Sequence, residues 1–207
     1  MKQSVVDTFP SFSTRFEGRV NFMYLDIKRL VTTGVGNLID PIALARNLPW
    51  RPKGDLSRSA TSDEIEAEWN LVKSDPDGRS QRGGGSFSSV TTLELSDEAV
   101  DDLVRQKLNQ MESFLIGRPE FSGFEAWPAD AQLGVLSMAW AMGPAFRFPN
   151  FQAACAGADF RAAAEESHMN DSQNPGLRPR NSVNRQLFLS AAEAVAGNVS
   201  QDEVHLS

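Results

Sequence analysis

The sequence contains a single cysteine, Cys155, so no disulfide bond can form within the chain and the fold must rest on packing. Its two histidines, His168 and His205, are too few and too scattered for a metal cluster or a histidine-based catalytic triad. No apolar run has the length of a membrane span, and residues 1–12 lack the apolar stretch of a signal sequence. We therefore expect a protein that is made in the cytoplasm, does not insert stably into membranes, and uses no metal or organic cofactor.

Positive charge is also scarce. Lysine and arginine number 20 against 27 aspartates and glutamates, which gives a formal net charge of -7. Proteins that bind nucleic acid or anionic lipid normally carry an excess of positive charge. We therefore expect this protein to bind neither. Hydrophobic residues at 41% and charged residues at 23% are ordinary values for a globular protein, and four Trp and thirteen Phe supply bulk for a core.

The N-terminal part of the sequence predicts a short helix and then a β-hairpin. Pro10, Phe12 and Phe16 suit a helix that Gly18 ends, which leaves Glu17 in its last turn. Two runs rich in aromatic and β-branched residues follow, and they predict two strands joined across a short connection. These runs are residues 21–25 and 30–36, and the connection is residues 26–29.

Three further helices are predicted before residue 118 from capping residues and helical spacing of apolar residues. They are a helix over 42–47 opened by Asp40 and Pro41, a helix after a capping box of Thr61 and Glu64, and a long helix from Ser96 to Gly117. Between them, residues 74–89 hold many turn-forming residues and few apolar anchors, so we predict an exposed, mobile loop there. Residues 51–95 as a whole are interpreted as a recognition insert or as padding, with padding preferred.

After Pro128 the pattern is helical throughout. The predicted helices are 133–142 ending at Gly143 and Pro144, 160–167 capped by Asp159, and 187–196 preceded by Ser182 and ended by Gly197. Strands cluster early and do not alternate with helices, which argues against a doubly wound nucleotide-binding fold. The fold class predicted from the residues is α+β, with a small N-terminal sheet and a helical second half.

Two carboxylates and a hydroxyl in the N-terminal part are the candidates for chemistry. If Glu17 closes a helix and Asp26 lies in the hairpin, both acids can face a common cleft, with Thr32 on the return strand. Paired carboxylates at a cleft are what glycoside hydrolysis needs, because one protonates the leaving oxygen while the other activates water or stabilises the cationic transition state. The structural alternative is that both acids are ordinary exposed residues.

The spacing of these residues resembles the catalytic region of the phage-type lysozymes, the endolysin muramidases. The shared pattern is a Glu, eight residues, an Asp, five residues and a Thr, followed by two glycines: here Glu17, Asp26, Thr32, Gly34 and Gly36. Residues 137–143 resemble the family's central buried helix. Phe151, residues 159–163 and residues 176–188 resemble its C-terminal helices. The resemblance covers roughly residues 12 to 50 and 128 to 190, with the matches in the family's order.

The resemblance implies a fold, an activity and site residues. The fold would be lysozyme-like and form a single domain over 1–207, with a small hairpin lobe at about 18–95, a connecting helix at 96–116 and a helical lobe at 117–200. Glu17 would be the general acid, Asp26 would activate or position water, and Thr32 would hold that water. Leu38 and Trp140 would contact the glycan. The family generally inverts the configuration at the cleaved carbon.

The activity implied is hydrolysis of the β-1,4 bond between N-acetylmuramic acid and N-acetylglucosamine in bacterial peptidoglycan, in the periplasm or on the cell wall, with cell lysis as the result. Two settings suit it: a phage endolysin, or an antibacterial toxin domain injected into a rival, which we favour. The toxin setting implies a secretion carrier and an immunity protein as partners. The alternatives are a lytic transglycosylase, which the presence of Asp26 disfavours, and a non-catalytic peptidoglycan-binding protein with the same scaffold.

Overall fold

The structure, a computed structural model, describes residues 1–55, 57–172 and 174–206. About 56% of the chain is helical and the strands are few, short and antiparallel, so the predicted α+β class is confirmed. None of the helices in the described ranges is long and apolar enough to span a bilayer. The chain forms two compact units: a sheet unit, Glu17–Val104, and a helical unit, Met1–Phe16 together with Arg105–Ser207.

The secondary structure of the described residues has the following bounds. The helices are α1 Gln3–Glu17, α2 Ile42–Arg46, α3 Ser62–Ser74, α4 Asp97–Ile116, α5 Ala129–Met142, α6 Pro149–Ala156, α7 Phe160–Glu166 and α8 Leu177–Val195. The strands are β1 Val20–Leu25, β2 Val31–Gly34, β3 Asn37–Leu38, β4 Arg51–Pro52 and β5 Leu93–Glu94. Short 3₁₀ turns occupy Arg79–Arg82, Gly84–Phe87, Pro119–Phe121 and Phe124–Ala126. β1, β2 and β3 form an antiparallel sheet in that order, and β4 pairs with β5.

The predicted end of helix α1 is confirmed, but its predicted start is not. It ends at Glu17, and Gly18 adopts a φ of +72°, which a glycine tolerates without strain. Pro10 lies in the middle of the helix and not at its start. A proline inside a helix costs about 3 kcal/mol, and the burial of Val5, Phe9 and Phe12 on the same helix offsets that cost.

Asp40 does not cap α2 as predicted. Pro41 occupies the N-cap position, and the Asp40 carboxylate is turned toward the hairpin, where it accepts a hydrogen bond from the backbone N–H of Val31 at 3.2 Å. The ammonium group of Lys73 on α3 donates to the same carboxylate. Burial raises the pKa of Asp40, but these hydrogen bonds outweigh it and the pKa is lowered overall. A hairpin contact therefore replaces the predicted helix cap.

The other predicted caps of the first half are confirmed. Thr61 and Glu64 form the capping box of α3: the backbone N–H of Glu64 donates to the Thr61 hydroxyl at 3.2 Å, and the backbone N–H of Thr61 donates to the Glu64 carboxylate at 2.8 Å. The Ser96 hydroxyl accepts from the backbone N–H of Ala99 at 3.1 Å at the start of α4. The long helix runs as predicted to the residue before Gly117.

Residues 74–89 are exposed over much of their length, but they are not an irregular loop. They form two 3₁₀ turns, and Phe87 is 1% exposed, which supplies an apolar anchor. The buried carboxylate of Asp75 accepts from the backbone N–H of Arg79 at 2.6 Å and from the hydroxyl of Ser80 at 2.6 Å. Burial raises the pKa of Asp75, and these hydrogen bonds lower it by more. An acidic side chain thus organises a glycine-rich segment.

The helical unit is built around α5. Residues 129–140 of this helix are all buried, and most of them are apolar; the polar ones are Asp130, Gln132 and Ser137. Gly134 allows close packing of α8, since a Cβ there would lie 2.8 Å from Cζ of Phe188. Cys155 is buried, as expected for a small apolar residue, and burial raises the pKa of its thiol. Asp159 caps α7 as predicted by accepting from the backbone N–H of Ala162 at 3.0 Å.

Helix α8 begins at Leu177, well before the predicted start near residue 187, and Ser182 lies inside it and caps nothing. Pro179 lies in its first turn, where the missing N–H of a proline costs no hydrogen bond. The buried face of this first part of the helix is polar, so the spacing of apolar residues did not predict a helix there. Arg180, which is 2% exposed, donates to the backbone oxygen of Ser137 at 3.1 Å, and the amide of Asn181 bonds both backbone groups of Met169.

Candidate active site

Glu17 is the last residue of α1 and the first residue of the sheet unit. Its side chain is exposed. Gly18, with its positive φ, turns the chain directly into β1, which begins at Val20. The predicted end of the helix at Glu17, shortly before the hairpin, is therefore confirmed, and its role in a site stays a prediction.

Asp26 lies in the turn between β1 and β2 and stabilises that turn. One carboxylate oxygen, Oδ1, accepts hydrogen bonds from the backbone N–H groups of Lys28 at 2.9 Å and Leu30 at 2.8 Å. The turn also requires a left-handed conformation at Arg29, whose φ is +61°. Both of these hydrogen bonds go to Oδ1, so the turn does not engage Oδ2.

The hairpin turn is also held from outside. Lys73 on α3 donates to the backbone oxygen of Arg29 at 2.8 Å and bonds the carboxylate of Asp40. Trp69, one turn earlier on α3, donates from its indole N–H to the backbone oxygen of Ile39 at 2.9 Å. Residues of α3 therefore fix the turn that carries Asp26. Helix α3 lies within residues 51–95, so part of the segment interpreted as padding has a structural role.

Thr32 lies on β2, opposite Tyr24 on β1 and opposite Leu38 on β3. Directly paired residues of antiparallel strands point to the same face, so the three side chains form a row across the sheet. Thr32 is 5% exposed, and its hydroxyl donates to the backbone oxygen of Leu30 at 3.1 Å. Toward any further group this hydroxyl can therefore only accept a hydrogen bond. Leu38 is 50% exposed, in keeping with a contact residue.

The turn between β2 and β3 explains the two glycines of the motif. Gly34 and Gly36 have φ values of +63° and +71°. A Cβ on Gly34 would also lie 2.8 Å from Oδ1 of Asn37, so only glycine fits there. Asn37 accepts from the backbone N–H of Val35 at 3.1 Å and donates to the backbone oxygen of Leu103 at 3.3 Å.

Tyr24 is a site residue that the sequence prediction missed. Burial raises its pKa to about 12, and the negative charges of Asp26 and then Glu17 contribute to the increase. The charges of both carboxylates therefore act on one phenol, although nine positions separate them along the chain. A signal was present in the sequence, because Tyr24 lies on a predicted strand two positions before Asp26, and side chains two positions apart in an extended chain point to the same face.

Trp140, the remaining predicted site residue, belongs to the helical unit and not to the sheet unit. It is 7% exposed. The Lys107 ammonium lies 3.9 Å from the centre of its ring, and the ring centre of Phe9 lies 5.1 Å away. The surroundings described here are those of a core residue, and the glycan contact implied by the resemblance stays a prediction.

Within the described ranges, no three histidine, cysteine, aspartate or glutamate side chains lie together in a way that would hold a metal ion. The chemical groups assembled in the sheet unit are two carboxylates, a phenol and a threonine hydroxyl. Such a set can transfer protons and orient water. No protein-family model matches the chain, and no curated protein matches it significantly.

Proposed function

We propose that this chain is a peptidoglycan hydrolase of the phage-type lysozyme kind, a muramidase that cleaves the β-1,4 bond between N-acetylmuramic acid and N-acetylglucosamine. The proposal includes a lysozyme-like fold, with Glu17, Asp26 and Thr32 as the catalytic residues and with Leu38 and Trp140 as glycan contacts. No metal or cofactor takes part in the reaction.

One observation carries the proposal: strand β1 joins the helix end at Glu17 to the turn at Asp26, and Thr32 is paired with this strand at Tyr24. The charges of both acids also contribute to the raised pKa of Tyr24. Two carboxylates that share a neighbour within the range of electrostatic effects can lie on two sides of one sugar linkage. The motif residues Thr32 and Leu38, in one row with Tyr24, add support.

The chemistry follows from what each group can do. Glu17, in its protonated form, gives its proton to the glycosidic oxygen while the bond from that oxygen to the anomeric carbon breaks. Water attacks the same carbon, and Asp26 takes the proton that the water loses. The turn hydrogen bonds at Oδ1 leave Oδ2 of Asp26 as the proton acceptor. Solvent then returns both carboxyl groups to their starting states.

We propose that the protein acts as an antibacterial toxin that is delivered to the periplasm of a rival. The alternative is that it acts as a phage endolysin. In the toxin setting a cognate immunity protein protects the producing cell. Expression in the periplasm of a susceptible bacterium should cause lysis, and co-expression of a neighbouring gene product should prevent it. Lysis that no neighbouring gene product prevents would favour the endolysin setting.

The direct test is to incubate purified sacculi with the protein and to identify the released sugars by mass spectrometry. We expect fragments with reducing N-acetylmuramic acid ends. Fragments with 1,6-anhydro ends would instead identify a lytic transglycosylase. Binding to the sacculi without release of sugars would identify a non-catalytic binding protein. Neither binding nor release would end the assignment to peptidoglycan.

A further inference from the structure

Tyr24 lies on β1 among the candidate site residues of the sheet. It is paired with Thr32 across β1 and β2, so the two side chains share a face of the sheet. The ladder continues one step further, because the backbone N–H of Asp26 donates to the backbone oxygen of Leu30 at 3.0 Å. Asp26 follows Tyr24 by two positions and therefore lies on the same face. A phenol, a hydroxyl and a carboxylate are thus grouped on one surface.

The aromatic ring of Tyr24 is fixed by packing. A Cβ on Gly84 would lie 2.7 Å from Cδ2 of Tyr24 and 3.0 Å from its Cγ, so the ring lies directly against the backbone of a 3₁₀ turn. This contact involves ring carbons and not the hydroxyl. A phenylalanine at position 24 would keep it, which separates the packing role of the ring from any role of the O–H group.

The hydroxyl of Tyr24 makes no hydrogen bond to any residue that the structure describes. Among the described titratable groups, Asp26 and Glu17 are those whose charges act on it. Lys53 and Arg79 are engaged elsewhere: Lys53 donates to backbone oxygens of Ser88 and Thr91, and Arg79 to that of Ser86. Because burial and the two carboxylates raise its pKa to about 12, the phenol is protonated throughout the physiological range and is a hydrogen-bond donor there.

The two neighbouring groups on this face, Thr32 and Asp26, supply hydrogen-bond acceptors. The Thr32 hydroxyl gives its own proton to the Leu30 oxygen and can only accept. The Oδ2 atom of Asp26 can also only accept when the carboxylate is ionised. A water between them would therefore give one hydrogen to each. A hydrogen-bond donor to one of the two lone pairs of this water would then fix the direction of its second lone pair.

We propose that Tyr24 is a further catalytic residue of the glycosidase reaction and that its hydroxyl donates a hydrogen bond to the attacking water. This inference rests on the proposed function. Asp26 and Thr32 accept the two hydrogens of the water, Tyr24 occupies one lone pair, and the remaining lone pair points at the anomeric carbon. The oxygen–carbon bond forms while the glycosidic bond breaks, Glu17 protonates the leaving oxygen, and Asp26 receives the proton of the water. Tyr24 keeps its proton throughout.

The test compares wild type with Tyr24→Phe and Tyr24→Leu on soluble, uncrosslinked glycan strands prepared from sacculi. A water-orienting group acts on the chemical step, so we expect Tyr24→Phe to lower kcat by about five- to tenfold, the effect of one neutral hydrogen bond, with KM unchanged. Circular dichroism and thermal unfolding should match wild type, because the ring contact with Gly84 is kept. Tyr24→Leu, which loses the ring as well, should lose more activity and some stability.

Three results would overturn the inference. A wild-type kcat in Tyr24→Phe would show that the hydroxyl has no role in the reaction. A raised KM with unchanged kcat would show that Tyr24 contacts the glycan and not the water. Loss of activity in Tyr24→Leu alone would show that only the ring matters. Absence of sugar release by the wild-type protein is a separate result, because it would reject the proposed function itself.

Discussion

Asp26 and Leu30 are joined by two hydrogen bonds: the backbone N–H of Asp26 donates to the Leu30 oxygen at 3.0 Å, and the backbone N–H of Leu30 donates to Oδ1 of Asp26 at 2.8 Å. A carboxylate fixed in this way cannot rotate freely. The turn uses one oxygen and leaves the other for the reaction. The same side chain therefore has a structural and a proposed catalytic role, and these can be separated by mutation.

Replacing Asp26 with Asn should separate its structural role from its proposed catalytic role. The Asn side-chain oxygen can accept both turn hydrogen bonds, so we expect the free energy of unfolding to stay within about 0.5 kcal/mol of wild type. The amide cannot take a proton from water, so sugar release from sacculi should fall at least about 100-fold. Asp26→Ala, which removes the acceptor, should in addition lose about 1 kcal/mol of stability in urea unfolding. Wild-type activity in Asp26→Asn would reject the role of this residue.

Gly84 should be far less tolerant of a methyl group than its neighbour Gly85. A Cβ on Gly84 would lie 2.7 Å from the ring of Tyr24, whereas a Cβ on Gly85 would have no atom within 4 Å. We expect Gly84→Ala to cost about 1–3 kcal/mol, because the ring or the turn must shift. Gly85→Ala should stay within about 0.5 kcal/mol of wild type. Equal stabilities in urea unfolding would contradict the described packing of Tyr24.

The ionisation of Tyr24 can be followed directly, because it is the single tyrosine of the chain. We expect the labelled phenol carbon to titrate in NMR spectra with a pKa of about 12, and both Glu17→Gln and Asp26→Asn to lower that pKa by removing a nearby negative charge. The unfolded phenol ionises near pH 10. Stability should therefore be lost as the pH rises from about 10 to 12, and Tyr24→Phe should remove that loss. A pKa that neither substitution moves would show that the acids lie elsewhere.

Local signals in the sequence predicted the elements that present the acids. Gly18 predicted the end of α1 and so the position of Glu17, and the two β-type runs predicted the hairpin that carries Asp26. Ser96 and the apolar spacing after it predicted α4. Each of these elements depends on contacts within a few residues, which is why pattern and propensity were sufficient.

Features that depend on distant contacts were not predictable in the same way. The carboxylate of Asp40 bonds Val31 and Lys73 instead of the adjacent helix, and the start of α8 is polar because Arg180 bonds the backbone of α5. Asp75 orders a segment whose composition predicted an irregular loop. The proposed role of Tyr24 was not predictable either, because it depends on the folded position of its phenol, on which the charges of Asp26 and Glu17 act.

The most direct measurement of the central claim is the rate at which wild type, Glu17→Gln and Glu98→Gln release muropeptides from purified sacculi. Glu98 is an exposed glutamate in the first turn of α4. Glu98→Gln therefore removes the same charge from the same unit as Glu17→Gln and serves as the matched control. A glutamine cannot protonate a leaving oxygen, so Glu17→Gln should be at least about 100-fold slower while Glu98→Gln keeps the wild-type rate. Release by Glu17→Gln at the wild-type rate, with a folded protein, would contradict the claim that Glu17 is the general acid.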